Sequence, residues 1–511
     1  MPESNFSALD WTIVASYVLG TVLIGFYVNR RIRGMSDFLV AGRSIRTKLG
    51  VATMIGSELG LVTAMFAAQK GFTGGFAAFH IGVLGLLAAL VVGFSGMIVV
   101  PLREMKVMTI PEFYERRFSR KLRIIGGLIL ALSGILNMGM FLKAGAIFVT
   151  GLTGMNDPTT IKVVMTIMIL LVLAYTTLGG MVSVVLTDYI QFVVLSIGLL
   201  ISVALAISTL GWSNIVEGVQ TVHGVAGFDP LNEEGFGISY VVWMFFLGLI
   251  SCNVWQTSVM RACSAESVKV VKKLYIWSSI GFMVRFIIPQ FLGICALTYF
   301  LTNPELASYF FEADGTTIVA EHSLEAMPVF LSQLLPIGLI GLVGAGMLAA
   351  FMSTHDTYLL CWSSVLVEDV VNPIARNRLS SKQRIYMTRG FLVLIAAFLL
   401  IWSMWFKLED DLWDYMAVSG AVYFTGAFVV LTAGIYWKRA SSFGAWLALI
   451  AGTIAIFGLT PVQRLFALDD TFKQHGINSA EVGLTACGTA AVLMVIGSLL
   501  VPDKPKTVEG N

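Results

Sequence analysis

Apolar residues gather in thirteen long runs, at 11–28, 48–69, 75–100, 124–152, 160–179, 181–210, 236–258, 274–301, 327–366, 389–407, 413–436, 440–460 and 480–501, with the charged residues collected in short segments between them. A bilayer's hydrocarbon core is about 30 Å thick and a helix rises about 1.5 Å per residue, so about 18 apolar residues suffice to cross it. The pattern predicts an all-α polytopic membrane protein of about 13 transmembrane helices, forming one domain over 1–511. The ninth run is too long for one straight crossing and contains Pro336. It is expected to begin as an interfacial piece before that proline and to continue as the membrane helix. Trp11 to Val28 has no basic region before it and is followed by Arg30, Arg31 and Arg33, which predicts a retained helix rather than a cleaved signal.

Composition agrees with this reading: 57% of the 511 residues are hydrophobic, 13% are charged, and mean hydropathy is +0.83. The formal net charge of +2 excludes the strongly basic footprint of a nucleic-acid binder. The distribution of charge is more informative than its sum. With the N-terminus outside, the inner segments 29–48, 101–123, 259–273, 367–389, 438–439 and the C-terminus carry 26 of the 33 Lys and Arg. That asymmetry predicts an N-out, C-in orientation. Five scattered cysteines without CxxC spacing imply neither a disulfide framework nor a zinc site. No loop exceeds about 30 residues and no G-x-x-x-x-G-K-[ST] is present, which argues against an ATP-driven pump in one chain.

Two apolar runs are interrupted, the second at Ile55-Gly56-Ser57-Glu58-Leu59-Gly60 and the seventh at Ser251-Cys252-Asn253-Val254-Trp255-Gln256. Paired interruptions five spans apart suit two five-helix units related as an inverted repeat. Ionisable residues at membrane depth are costly and therefore informative. They are Glu58, Lys143, Asp188, Arg285 and the pair His355-Asp356. Mutual neutralisation is the plain alternative for each. Glu58 sits between Gly56 and Gly60, where an unwound backbone would free carbonyls able to replace the hydration shell of a small cation. Close helix packing by small residues is the alternative there. On the ninth run Ala350, Ser353, Thr354 and Thr357 share one helical face, and hydroxyl oxygens suit a hard cation such as sodium. Bonds from these hydroxyls to their own i−4 carbonyls would explain them equally. His355 and Asp356 point about 100° apart, which weakens a joint metal or relay role.

At these residues the chain resembles the sodium/solute symporter family. The likeness is carried by Asp37-Phe38-Leu39-Val40-Ala41-Gly42-Arg43, by Thr177-Leu178-Gly179-Gly180-Met181 continuing to Leu186-Thr187-Asp188-Tyr189-Ile190-Gln191, by Ala350-Phe351-Met352-Ser353-Thr354-His355-Asp356, and by Gly434-Ile435-Tyr436-Trp437-Lys438-Arg439 leading to Gly444-Ala445. The resemblance implies a LeuT-type 5+5 inverted repeat. Its first unit would be 48–210 and its second 236–436, with a leading helix at 11–28 and two trailing helices over 440–501. It also implies a sodium ion held by the backbone oxygens of Gly56, Leu59 and Ala350 and the hydroxyls of Ser353 and Thr354, with Asp188 supporting that site or a second one.

Glu58 falls where proline carriers of the family have aspartate and sugar carriers asparagine. Arg285 resembles a basic residue that approaches substrate in sugar-type members, and Asn137 falls where sialic acid carriers bear a carboxylate-binding arginine. Substrate-facing candidates are Glu58, Asn137, Lys143, Trp255 and Arg285, with Trp243 a second aromatic; packing is the commoner explanation for both tryptophans. Two basic residues near one cavity would suit a carboxylate, and would equally suit internal pairing with Glu58 and Asp188. The expected function is sodium-coupled symport of a small polar solute bearing a carboxylate, in a plasma membrane or bacterial inner membrane. Proton coupling through Glu58 is the alternative on the same fold, and a transporter-like sensor the alternative of another class. No nucleophile–base pair suggests an enzyme.

Overall fold

Each of the thirteen expected runs falls on helix in the computed structural model, which describes residues 4–29, 43–155, 157–406 and 411–503, with backbone alone at 21, 22, 24–29, 57, 175 and 177–192. The principal helices are α1 (Ala8–Asn29), α2 (Thr47–Glu58), α3 (Leu61–Gly74), α4 (His80–Ser95), α5 (Arg120–Asn137), α6 (Phe141–Thr153), α7 (Pro158–Leu210) and α8 (Gly237–Val254). They continue with α9 (Gln256–Ser264), α10 (Val268–Leu301), α11 (Ala326–Leu334), α12 (Leu339–Val365), α13 (Ser381–Trp405), α14 (Leu412–Tyr436), α15 (Ser442–Gly452) and α16 (Ser479–Leu500). Among the described residues, nine helices have the length and apolarity to cross a membrane, and three shorter apolar helices lie at Ala8–Gly20, Pro158–Ala174 and Ser442–Gly458.

Both expected interruptions are breaks in helix. α2 ends at Glu58, Leu59 takes φ −88° and ψ 69°, and the extended Gly60 starts α3. In the seventh span Trp255, with φ −70° and ψ 113°, separates α8 from α9. The ninth run divides as its proline suggested, into α11 and α12 around Pro336 and a positive-φ Gly338. Past Val365 the helix widens into a π turn, Leu366–Val371.

Three features differ from expectation. The fifth and sixth runs form one continuous helix, α7; after Pro158 no proline occurs before Pro230, and Gly179-Gly180 alone do not interrupt the backbone hydrogen bonds. The seventh span reaches Ser264, so Arg261 is a buried helical residue, 2% exposed, rather than a charge of the 259–273 loop. Its guanidinium donates to the Thr257 carbonyl and the hydroxyls of Thr53 and Thr357. Other basic residues assigned to segment ends are also engaged inside the protein. Arg123 pairs with Asp369 and Glu115, Arg384 with Glu368, and Lys70 with Asp411 and Asp414. Hydropathy windows register where charges lie, not whether they have partners.

The core is built by close helix approach. α3 and α4 both pack on α10, and a Cβ added at Gly71 would overlap the Gln290 backbone carbonyl, as one at Gly293 would overlap that of Ala68. α12 is the most enclosed helix, touching α1, α2, α3, α5, α6, α7 and α13. Its N-terminus is capped from a distance of more than 300 residues: Asp10 Oδ1 accepts the amides of Gly338 and Gly341 at 2.7 and 2.9 Å. Asp10 Oδ2 meanwhile accepts the Ser7 amide and hydroxyl, so one carboxylate ties the leading helix to α12.

Candidate functional site

The break between α2 and α3 lies directly against α12. A Cβ at Gly60 would overlap Thr354 Oγ1, with Thr354 Cβ and Cγ2 at 3.4 and 3.7 Å, so only glycine lets this backbone meet that hydroxyl. Leu59 donates its amide to the Ile55 carbonyl and Gly60 accepts from Ala64, while among the described residues no backbone donor reaches the Gly56 or Leu59 carbonyls. Free carbonyls in an apolar interior need a partner, and a cation is one. Ala350, Ser353 and Thr354 are buried on the facing stretch of α12. Thr354 Oγ1 donates to the Ala350 carbonyl at 2.9 Å, the i−4 bond anticipated for intramembrane hydroxyls, which leaves its oxygen lone pairs as acceptors.

A cavity of about 110 Å³ opens beside this contact, and Glu58, Asn137, Trp255, Arg285 and Thr354 all line it. Arg285 Nη1 lies 2.5 Å from Glu58 Oε2 and also donates to the Glu58 carbonyl at 3.3 Å, while Ser258 Oγ donates to Glu58 Oε1 at 3.1 Å. The guanidinium is held over the rings of Phe282 and Phe286, 4.8 and 4.9 Å from their centroids. Asn137 stands at the end of α5, donating to the Met416 carbonyl at 2.7 Å and to Ser419 Oγ at 3.1 Å, with its Oδ1 buried and unpartnered. Trp255 Nε1 donates to the Tyr358 hydroxyl at 3.1 Å.

Aromatic rings make up much of the wall. Toward α3 and α14, Phe66, Phe286 and Trp413 form a cluster with centroids 4.8 to 5.8 Å apart. Past it, Lys70 Nζ bridges Asp411 and Asp414 at 2.7 and 2.8 Å. Trp255 packs edge-on against Tyr358, Trp362 and Phe424.

Not every anticipated residue converges here. Lys143 donates to the Phe406 carbonyl at 3.3 Å, near the end of α13, and does not line the cavity. The side chain of Asp188 and residues 37–42 lie outside the described residues. Trp243 packs against Gly483, as a structural aromatic does. His355 Nδ1 faces the Phe351 carbonyl at 3.0 Å and its ring packs on Phe351 and Phe141. Ser258 and Tyr358 were missed by sequence reasoning. Tyr358 is four residues beyond Thr354, so helical periodicity could have found it; Ser258 is the last residue of the 236–258 run, two beyond the polar interruption, and no pattern singled it out.

Discontinuous helices meeting at a partly polar cavity are the architecture of a secondary carrier. The family model described as "Sodium:solute symporter family" matches residues 38–452, and the chain belongs to that family. It is 24% identical to the sodium/sialic acid symporter SiaT of Proteus mirabilis (strain HI4320) over the full length of both chains. It is 25% identical to the high-affinity proline transporter PutP of Bacillus subtilis (strain 168), covering 85% of this chain and 89% of that one. Among solved structures, a Na+-coupled sialic acid symporter in a substrate-bound outward-open state superposes with a TM-score of 0.78 at 20% identity, covering 98% of this chain and 99% of the other. MhsT in complex with L-phenylalanine follows with a TM-score of 0.55 at 15% identity over 88% and 98%. The fold is LeuT-like and the chain is a multi-pass membrane protein whose class activity is sodium-coupled solute symport; its relatives are transporters, not enzymes.

Proposed function

We propose that the chain moves a small, carboxylate-bearing solute inward with sodium, by alternating access between the repeat units 48–210 and 236–436. Sodium would bind between the carbonyls of Gly56 and Leu59 at the helix break and the oxygens of Ala350, Ser353 and Thr354 on α12, with Asp188 as a supporting acid. The abutment of Gly60 on Thr354 is the observation that carries this reading, because it sets the helix break against the stretch of α12 that bears the hydroxyl half of the proposed ligand set. A bound cation would tie the broken helix to α12 and bias the carrier toward the state it binds better; it can do so only through its differential affinity for the two states. Each sodium crossing 100 mV contributes about 2.3 kcal/mol, enough for roughly a fifty-fold solute gradient.

The carboxylate assignment rests on Arg285 in the cavity wall and is consistent with the sialic acid and proline carried by two of the relatives. We assign an N-out, C-in orientation and a plasma membrane, bacterial inner membrane included. Thermal unfolding of the purified protein in sodium or in potassium at equal ionic strength, across amino acids, monocarboxylates, sugars and sialic acids, tests the reading. A carboxylate that stabilises only in sodium, with the synergy lost in Ser353→Ala, is the expected result. Equal stabilisation in both salts refutes it and favours proton coupling through Glu58.

A further inference from the structure

The cavity wall holds opposite charges side by side, with more hydrogen-bonding capacity than they use on each other. Glu58 and Arg285 are both half-enclosed, with side-chain exposures of 15% and 17%. Arg285 reaches Glu58 through Nη1 alone, and its Nε is sealed in the protein. A guanidinium carries five donors in a fork that matches a carboxylate, so among the described residues Nη2 retains capacity for a second anion. On the acceptor side, Glu58 receives one further hydrogen bond, from Ser258. The site thus offers a donor face and an acceptor face within one small cavity.

A solute with only a carboxylate would use the donor face alone. It would also set a second negative charge beside Glu58 on the same guanidinium, in a cavity walled largely by Phe66, Phe141, Trp413 and Phe424, where like charges are poorly screened. A solute with a cationic nitrogen next to its carboxylate answers both faces at once. Resting on the carboxylate reading above, we propose that the transported solute is zwitterionic: its carboxylate is held by Arg285 and its ammonium by Glu58, each charge of the resting ion pair exchanging part of its partner for the solute. Ser258, through its hydrogen bond to Glu58 Oε1, positions the acceptor face rather than defining the charge.

Matched probes test this in proteoliposomes under an inward sodium gradient: L-alanine with propionate, L-proline with cyclopentanecarboxylate, L-phenylalanine with 3-phenylpropionate, and sialic acid as an acid without an ammonium group. The expected result is sodium-dependent uptake of at least one of the amino acids, with its deaminated partner competing at least tenfold more weakly. Sodium-dependent uptake of a deaminated acid or of sialic acid at comparable affinity overturns the zwitterion proposal and leaves the carboxylate reading standing. Uptake of none of the seven overturns both. Glu58→Gln, checked for retained stabilisation by sodium alone, is expected to weaken the amino acid at least tenfold and to strengthen its deaminated partner, whereas Glu58→Asp keeps the preference for the amino acid. Equal loss of both partners in Glu58→Gln would assign Glu58 to sodium or to the fold, and the proposal would fail.

Discussion

Gly60→Ala puts the proposed sodium site under the most direct strain. The backbone at Gly60, φ −95° and ψ 168°, is open to any residue, so alanine brings no conformational penalty and the effect is one of space alone. The new methyl would overlap Thr354 Oγ1 while remaining at 3.4 Å or more from the other atoms of that side chain. Relief requires the hydroxyl to rotate away, losing its bond to Ala350, or α3 to shift from α12. Overpacking of this kind costs about 1–3 kcal/mol. If the same displacement removes a sodium ligand, affinity falls by a comparable amount, about 5- to 150-fold. The assay is the midpoint of thermal unfolding as a function of sodium, for wild type, Gly60→Ala, Thr354→Ala and the double variant. Because the offending atom is absent from Thr354→Ala, adding Gly60→Ala to it should change little. An equal cost in both backgrounds would refute the steric argument. Normal sodium affinity in a destabilised Gly60→Ala would refute the assignment of the ion.

Further outcomes are expected. Asp10→Ala should lower stability by about 0.5–2 kcal/mol through loss of the cap on α12, and Asp10→Asn by less, read by thermal unfolding. Lys70→Met should destabilise the protein by less than the about 3–5 kcal/mol of a fully buried pair, because Asp411 and Asp414 keep 27% and 23% of their side-chain exposure. Asp411→Asn should cost less than Lys70→Met, since Asp414 still holds the ammonium; the reverse order of unfolding midpoints would contradict this geometry. Gly71→Ala should fail to give folded protein, judged by monodispersity in detergent, because its methyl meets backbone rather than a movable side chain.

Much of this architecture was legible because it is written in local chemistry. The glycines around Glu58 marked a break that falls at Leu59 and Gly60, and the polar Ser251 to Gln256 stretch marked another at Trp255. Pro336 located the division of the ninth run. Pairing between distant segments was not legible. Glu58 and Arg285 were each visible as costly intramembrane charges, and neutralisation was one of two readings for them; only the fold shows that they meet, and that Lys143 does not join them. Arg261 and Lys70 misled for the same reason, since a basic residue at a span's end looks like a solvent charge until the helix carrying it is found inside. The aromatic wall of the cavity was hidden by abundance: among 34 Phe, 14 Tyr and 11 Trp, no pattern in the sequence singles out Phe66, Trp413 or Phe424.

Among the described residues, one lysine answers two aspartates where α3 meets α14, so that cluster carries an excess negative charge there. In the proposed orientation this end of α3 faces outward, and the excess governs arrival rather than residence. It raises the local concentration of cations and repels free anions before either meets the binding residues, an effect on entry rate that fades as ionic strength rises. Sodium is favoured by that field, a neutral or zwitterionic solute is indifferent to it, and a simple carboxylate must approach against it.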